Sequence, residues 1–320
     1  MGHRAKKRYT WLRSVHYLVE PTSLVVGSFL LKARCPMPVR IITDSGSDFY
    51  TADHPRLTVL PLSIGFGSTM YQADVDLSRE RFYELLVEGD EFPSTGQVTP
   101  FAFSQAITEA QQAREDVVVV TLSSKLSGTY DSAVAAAADA DGATLVRVVD
   151  SKNVTVGEHI LVEYALRLAD EGKDADEVAD ALEVVVDRIC VIGLLDTLEY
   201  LKRGGRLPAA VATVGQLLAI KPVVTIEDGE VKILGKARGS KNGRNLLNQA
   251  VEQGGGVDFS LPIHLGYSGL SDALLGKYIR DSRALWEAYP GDELPVLQVG
   301  ATIGAHVGPG AIAVAFFRAK

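Results

Sequence analysis

Val117-Val-Val-Val-Thr121 runs straight into Leu122-Ser-Ser-Lys-Leu-Ser-Gly128, and an Ala-rich helical pattern over Gly128–Ala138 follows at once. An unbroken β-branched run has no polar face, so it fits a strand covered on both sides, as in parallel sheets. The polar, glycine-punctuated segment behind it fits the turn by which such a strand passes into a covering helix. Strand, polar turn and helix form the repeating unit of an open α/β sheet, and the flanking sequence carries more copies of it.

On the N-terminal side, Val39–Thr43 and Val59–Ile64 are strand-like. Arg79–Val87, with Ser78 as cap, and Phe101–Ala113 after Pro100 show helical spacing. On the other side Leu145–Val149 is the next strand. This order predicts a mainly parallel sheet flanked by helices over residues 38–152. A second unit, 153–320, opens with two helical patterns, Val154–Glu171 and Ala175–Asp187. A strand at Cys190–Leu195 follows. Thr197–Arg203 reads as a short helix capped by Asp196 and ended by Gly204-Gly205. Ala209–Ile220 is helical. Val223–Ile226 and Val231–Leu234 flank Asp228-Gly229, a hairpin signal. Helices near Gly243–Gln253 and Ala273–Ala288 then alternate with strands near Pro262–Leu265, Val296–Val299 and Ala311–Phe317. The fold class expected is α/β, with two α/β domains meeting near Asp150–Asn153 and a ligand between them.

Composition is that of an ordinary globular chain, 47% hydrophobic and 22% charged, and 320 residues suffice for two cores. The first 37 residues carry seven Lys or Arg against one Glu, which leaves the rest at −14 of a total of −8. A body this acidic is a poor partner for nucleic acid. Two cysteines, Cys35 and Cys190, exclude a disulfide framework, and Cys190 lies in an apolar run as a small core residue. Lys6, Lys7 and Arg8 resemble a signal-peptide start, but Glu20 and Pro21 break the apolar stretch and no small-residue cleavage site follows. Charges flanking Cys35 make a poor lipoprotein signal. The folded pattern starts after Met37, so residues 1–37 read as a disordered or artefactual extension and Met37 as the true start. With no run of eighteen apolar residues, no transmembrane segment is expected, and the localisation expected is cytoplasmic.

In an open α/β sheet, ligands gather outside the carboxyl ends of the strands. That rule selects Thr43-Asp-Ser-Gly-Ser-Asp48, the segment Leu122–Thr129, and Phe92–Pro100 between them. Ser127-Gly128 opens a helix, whose free N–H groups and positive dipole end suit an anion. Spacing alone favours the plainer reading of Ser127 as a helix cap, and it leaves Thr95 an ordinary turn residue and the Asp44-Ser45 segment a local cap. Gly304-Ala-His-Val-Gly-Pro-Gly310 reads as a fixed loop. His306 there serves equally as an anion donor or as a hydrogen-bonded loop histidine.

Searches for stronger motifs fail. No G-x-x-x-x-G-K-[ST] and no H-E-x-x-H occurs, Gly65-Phe-Gly67 lacks a third glycine, and Gly266-Tyr-Ser-Gly269 misses the nucleophile-elbow spacing. His54, His159 and His264 lie far apart with no metal-ligand spacing, so no metal, no cofactor and no catalytic residue is expected.

Residues 39–317 resemble the DegV family of fatty-acid-binding proteins. The likeness rests on Thr43-Asp-Ser-Gly-Ser-Asp48, Thr95-Gly-Gln97, Leu122-Ser-Ser-Lys-Leu-Ser-Gly-Thr-Tyr130 and Asp150-Ser-Lys152. It continues through Leu198-Glu-Tyr-Leu-Lys-Arg-Gly-Gly-Arg206, Ile220-Lys-Pro222 and Thr302–Gly310. Residues 1–36 have no counterpart. The sequence departs from the family at Gly96, usually serine, and Val98, usually proline.

The resemblance implies a palmitate-like fatty acid held between two α/β domains. Its carboxylate would be bound by Thr95 and Ser127, with His306, Ser45 and Gly128 beside it. It implies no catalysis by the chain alone, a role in lipid metabolism or transport, and a partner fatty-acid kinase. Arg206, Lys236 and Arg238 would serve docking of that kinase; the plain reading is a solvated basic edge. The competing class is a stand-alone phosphotransferase or hydrolase acting at the Ser127 helix terminus, against which the absent nucleotide motif and nucleophile–base pair count.

Overall fold

The computed structural model describes residues 37–140, 142, 144–207 and 220–319. Residues 1–36, on which the expectation of a disordered or artefactual extension falls, lie outside these residues. So does the helix expected over Ala209–Ile220, except for Ile220, which opens a strand.

In chain order, β1 (Val39–Asp44) and β2 (Leu57–Leu60) are followed by β3 (Ser63–Phe66), β4 (Thr69–Gln72), α1 (Arg79–Glu88) and β5 (Ser94–Gly96). Then come α2 (Pro100–Gln112), β6 (Asp116–Thr121), α3 (Thr129–Ala138), β7 (Val146–Asp150), α4 (Val156–Asp170) and α5 (Ala175–Val185). The rest comprises β8 (Ile189–Leu194), α6 (Glu199–Arg203), β9 (Ile220–Glu227), β10 (Glu230–Arg238) and α7 (Gly239–Gln253). It closes with β11 (His264–Tyr267), α8 (Ala273–Asp281), β12 (Val296–Gln298), α9 (Ala301–Val307) and β13 (Ile312–Phe317).

The valine run is β6, and all six of its residues are buried. It sits inside an all-parallel sheet of order β2-β1-β6-β7. Its side chains alternate between two cores. Val118 and Val120 pack with α4 and α5, while Val117 and Val119 pack with α2 and α3. Each fully buried valine stabilises by about 1.5–3 kcal/mol relative to exposure, which is why this strand carries no polar residue between Asp116 and Thr121. The expected fold class, α/β with a parallel sheet flanked by helices, is what the chain adopts.

The expected strand Val59–Ile64 is in fact two. Pro61 has no N–H to donate, so pairing stops at Leu60, and β3 leaves for a separate antiparallel sheet of order β4-β3-β5. A third sheet, of order β10-β9-β8-β13-β11-β12, is mostly antiparallel. Its β9–β10 hairpin turns on Asp228 and Gly229, both at positive φ (51° and 80°), as the sequence signal requires. The short helix α6 is not capped by Asp196. Thr197 Oγ1 accepts from the Glu199 N–H instead, and Asp196 pairs with Lys221.

Helix α4 joins the parallel sheet to the third sheet. Its Val156, Ile160, Leu161 and Ala165 share one core with Val39, Ile41 and Val118 of the former and with Val191, Ala315 and Phe317 of the latter. Among the described residues no helix is long and apolar enough to cross a membrane.

Candidate functional site

The carboxyl end of β1 is a buried polar corner. Asp44 accepts from the N–H groups of Gly46 (2.8 Å) and Leu122 (2.9 Å), which ties the end of β1 to the end of β6. Asp48 accepts from the Gly300 N–H (2.8 Å) and the Thr155 hydroxyl (2.5 Å). Burial pushes Asp44 up to about 7 and Asp48 up to about 6, the latter against the pull of Arg79. Ser45 Oγ accepts from the Leu62 N–H (2.9 Å) and meets Thr302 Oγ1 at 2.8 Å.

In front of this corner lies a cavity of about 430 Å³. One wall comes from the segments after β5 and β6, the other from β8, β9, β10 and β13, and α6 and α9 close the side. Its size falls within the usual range for small-molecule sites. Among the described residues no Asp or Glu lines it, and most of the wall is valine, leucine, isoleucine and alanine.

Part of the polar lining is linked by short contacts, while Thr155, Thr225 and Thr302 line the cavity with their hydroxyls bonded elsewhere. Thr95 Oγ1 lies 2.9 Å from His306 Nε2. The Val98 N–H donates to Thr129 Oγ1 (3.3 Å), which in turn lies 2.9 Å from Ser127 Oγ. Arg206 donates through Nε to the Leu126 carbonyl (3.1 Å), next to Ser127, and through Nη1 to the Gly204 carbonyl (2.6 Å). These segments meet closely at Gly128, where a Cβ would come within 2.2 Å of Gln97 Oε1 and the glutamine side chain would have to move aside. His306 is held neutral near pH 7: burial, reinforced by Arg206, lowers it to about 4. Its Nδ1 is buried with no hydrogen-bond partner among the described residues. One guanidinium, two hydroxyls and a neutral imidazole on the wall of a cavity with no Asp or Glu among its described lining residues suit a monovalent anion with an apolar tail.

The structure thus brings Thr95, Ser127, Gly128 and His306 to one cavity. Ser45 is not among them. Both of its hydroxyl contacts run to residues that line the wall, so it backs the site rather than facing it. Thr95 lies on β5 of the small antiparallel sheet, not in a loop of the parallel one. His306 lies in the last turn of α9, not in a loop. The N-cap of α3 is Gly128, and Ser127 stands one residue before it with its hydroxyl accepting from the Thr129 N–H (3.3 Å). Arg206, expected on a docking surface, lines the cavity, whereas Lys236 and Arg238 are exposed on the edge strand β10.

The two departures from the family pattern also find local reasons. Gly96 pairs with Ser63, and a Cβ at position 96 would come 2.4 Å from Ser63 Oγ. Val98 donates a backbone hydrogen bond that proline would lack.

Comparison with known proteins gives consistent findings. The family model described as an uncharacterised protein of the DegV family matches residues 38–319. A DegV domain-containing protein of Caldanaerobacter subterraneus subsp. tengcongensis is 34% identical over 290 residues, covering 88% of this chain and 99% of its own. The fatty-acid-binding DegV family protein of Thermus thermophilus superimposes with a TM-score of 0.78 at 30% identity, over 88% of this chain and 100% of the other. A DegV family protein of Eubacterium eligens, loaded with heptadecanoic acid, shares the fold with a TM-score of 0.76 at 24% identity, over 88% and 100%.

Proposed function

This chain belongs to the DegV family, and we propose that it is a carrier that binds a long-chain fatty acid and presents the carboxylate at the Thr95–Ser127 end of the cavity. The observation that carries this reading is a largely apolar cavity, without Asp or Glu among its described lining residues, into whose wall Thr95, Ser127, Arg206 and His306 are brought together. Burial of an acyl chain gains on the order of 0.8 kcal/mol per CH₂, so a tail of ~16 carbons supplies more than ~10 kcal/mol before association costs. Each hydrogen bond to the carboxylate adds only about 1.5–3 kcal/mol. The tail therefore sets affinity, and the head group sets orientation.

In this reading Thr95, Ser127 and the backbone at Gly128 hold the carboxylate, and Arg206 and His306 stand beside it. Residues 38–152 and 153–320 act as two α/β domains that share the ligand. The carrier works in the cytoplasm, in lipid metabolism or transport, and a partner kinase phosphorylates the presented carboxylate. Lys236 and Arg238 on the exposed edge are its docking candidates. The Thr95–His306 contact has the spacing of a nucleophile–base pair. Against catalysis, His306 lacks an orienting acid at Nδ1 among the described residues, and its lowered pKa makes it a weak base.

The test is a pair of titrations of lipid-stripped protein, with palmitate and with its methyl ester, plus mass spectrometry of lipid released from the purified chain. Released acyl chains and at least a tenfold preference for the free acid are expected. Equal binding of acid and ester, or no acyl chain released, would overturn the reading.

A further inference from the structure

Outside the cavity, the fold assembles a group of side chains that sequence spacing does not reveal. His159 and Glu163 are four residues apart on α4 and so share a face. His264 opens β11, against which α4 packs. One potential ligand atom from each of the three lies within 4.8 Å of the other two. His264 Nε2 stands 3.0 Å from Glu163 Oε2, and the imidazole rings of His159 and His264 are 4.2 Å apart.

Three details distinguish this group from an incidental ion pair. His159 is oriented from behind: its Nδ1 lies 2.9 Å from the Ser47 carbonyl, an acceptor only, so Nδ1 carries the proton and Nε2 the free lone pair. A backbone carbonyl on the far nitrogen is the usual outer partner of a metal-bound histidine. The ring is also clamped flat on Phe49, 3.7 Å away and 3° from parallel. Finally, Glu163 Oε2 and His264 Nδ1 are buried without a hydrogen-bond partner among the described residues, although Oε2 has a ring nitrogen at 3.0 Å. Glu163 Oε2 and His264 Nε2 therefore stand close without a made hydrogen bond, and the other ring nitrogen, Nδ1, is the unpartnered one of His264.

We propose that His159, Glu163 and His264 form a binding site for a divalent transition cation of the zinc class. Two imidazoles and a carboxylate select Zn²⁺, Co²⁺ or Ni²⁺ over the oxygen-seeking Mg²⁺ and Ca²⁺. Bonds of about 2.0–2.2 Å put the ligand atoms roughly 3–4 Å apart, and Glu163, 44% exposed, is free to turn by the remainder. Three protein ligands leave a position for water. Arg79 is the nearby opposing charge acting on His159, and its ion pair with Asp74 offsets it. None of the three ligands lines the cavity, so the ion would clasp α4 to β11 and, through Ser47, to the turn after β1.

The experiment is a titration of EDTA-treated full-length protein with Co²⁺, read by visible absorption, followed by Zn²⁺ competition. One Co²⁺ per chain, displaced by Zn²⁺ but not by Mg²⁺ or Ca²⁺, is expected. His264→Ala and Glu163→Gln should each weaken Co²⁺ binding at least about tenfold with circular dichroism unchanged. The proposal fails if no such spectrum develops, or if either variant that keeps its fold binds Co²⁺ as the parent does. Neither readout involves lipid, so its failure leaves the carrier reading untouched.

Discussion

Asp44, Ser45 and Asp48 on one side, and Thr95, Ser127 and His306 on the other, are both groups of shielded polar side chains beside the cavity. They differ in how much hydrogen-bonding capacity is left over. Asp44 and Asp48 use both carboxylate oxygens on the protein itself, and Ser45 bonds one backbone N–H and one hydroxyl. The second group is more loosely held: among the described residues the Thr95 hydroxyl meets only His306, Ser127 meets the Thr129 hydroxyl and accepts one long 3.3 Å bond from the Thr129 N–H, and the His306 imidazole keeps an unmade bond. Saturated polar groups hold backbone in place, whereas groups with spare capacity can take a ligand.

The sharpest way to break this contrast is to cut into each group in turn. Asp48→Ala orphans the buried Gly300 N–H and Thr155 hydroxyl, so unfolding free energy should fall by about 3–5 kcal/mol in a denaturant titration. A loss below about 1 kcal/mol would mean the first group is not structural. Ser127→Ala should reverse the pattern, with fatty-acid affinity down by about 1–3 kcal/mol and stability changed by no more than about 1 kcal/mol. If the variant and the parent lose equal affinity on esterification of the ligand, Ser127 does not read the carboxylate.

Acid should separate the two groups by sign. Asp44 and Asp48 have raised folded pKa values, about 7 and about 6, so their contribution is present below pH 3.8 and is lost as pH rises through 6–7. His306 has a lowered one, about 4, so its contribution is present above pH 6.5 and is lost as pH falls toward 4. The stability of His306→Asn relative to the parent should therefore increase as pH drops from 6.5 to 4, read by denaturation midpoints at each pH. A constant difference would remove His306 from the titrating set. The smallest effect belongs to the exposed edge. Lys236→Glu with Arg238→Glu should change fatty-acid affinity by less than about 0.5 kcal/mol while slowing phosphorylation by a partner kinase. A larger loss of lipid binding with unchanged phosphorylation would place these residues on the ligand instead.

Much of the fold was readable because local rules and tertiary packing agree. The valine run, the Ser78 cap and the Asp228-Gly229 turn each need only nearby chemistry. What misled was sequence that looks local but answers to distant neighbours. The glycines around His306 read as a loop, yet Gly304 lies within a helix, where a Cβ would come 2.7 Å from both Phe82 and Tyr83. Its small size serves the packing of α9 on α1 rather than loop freedom. Ser45 and Ser127 look alike as serines after strands, and only burial and bonding partners distinguish the back of the site from its front. Arg206 read as surface charge because no sequence signal says that it folds back onto Leu126. His159 and His264 are 105 residues apart, a separation that no ligand-spacing rule covers.

Helix α4 has one further consequence, for how the molecule comes apart. Its apolar face belongs to a core that draws on the parallel sheet and the mostly antiparallel one together. Losing either sheet strips that face and exposes Ile160, Leu161 and Ala165 to water, at on the order of 25 cal/mol per Å². Partial melting is therefore unfavourable at both ends. The described body should unfold in a single cooperative transition, with calorimetric and van't Hoff enthalpies that agree.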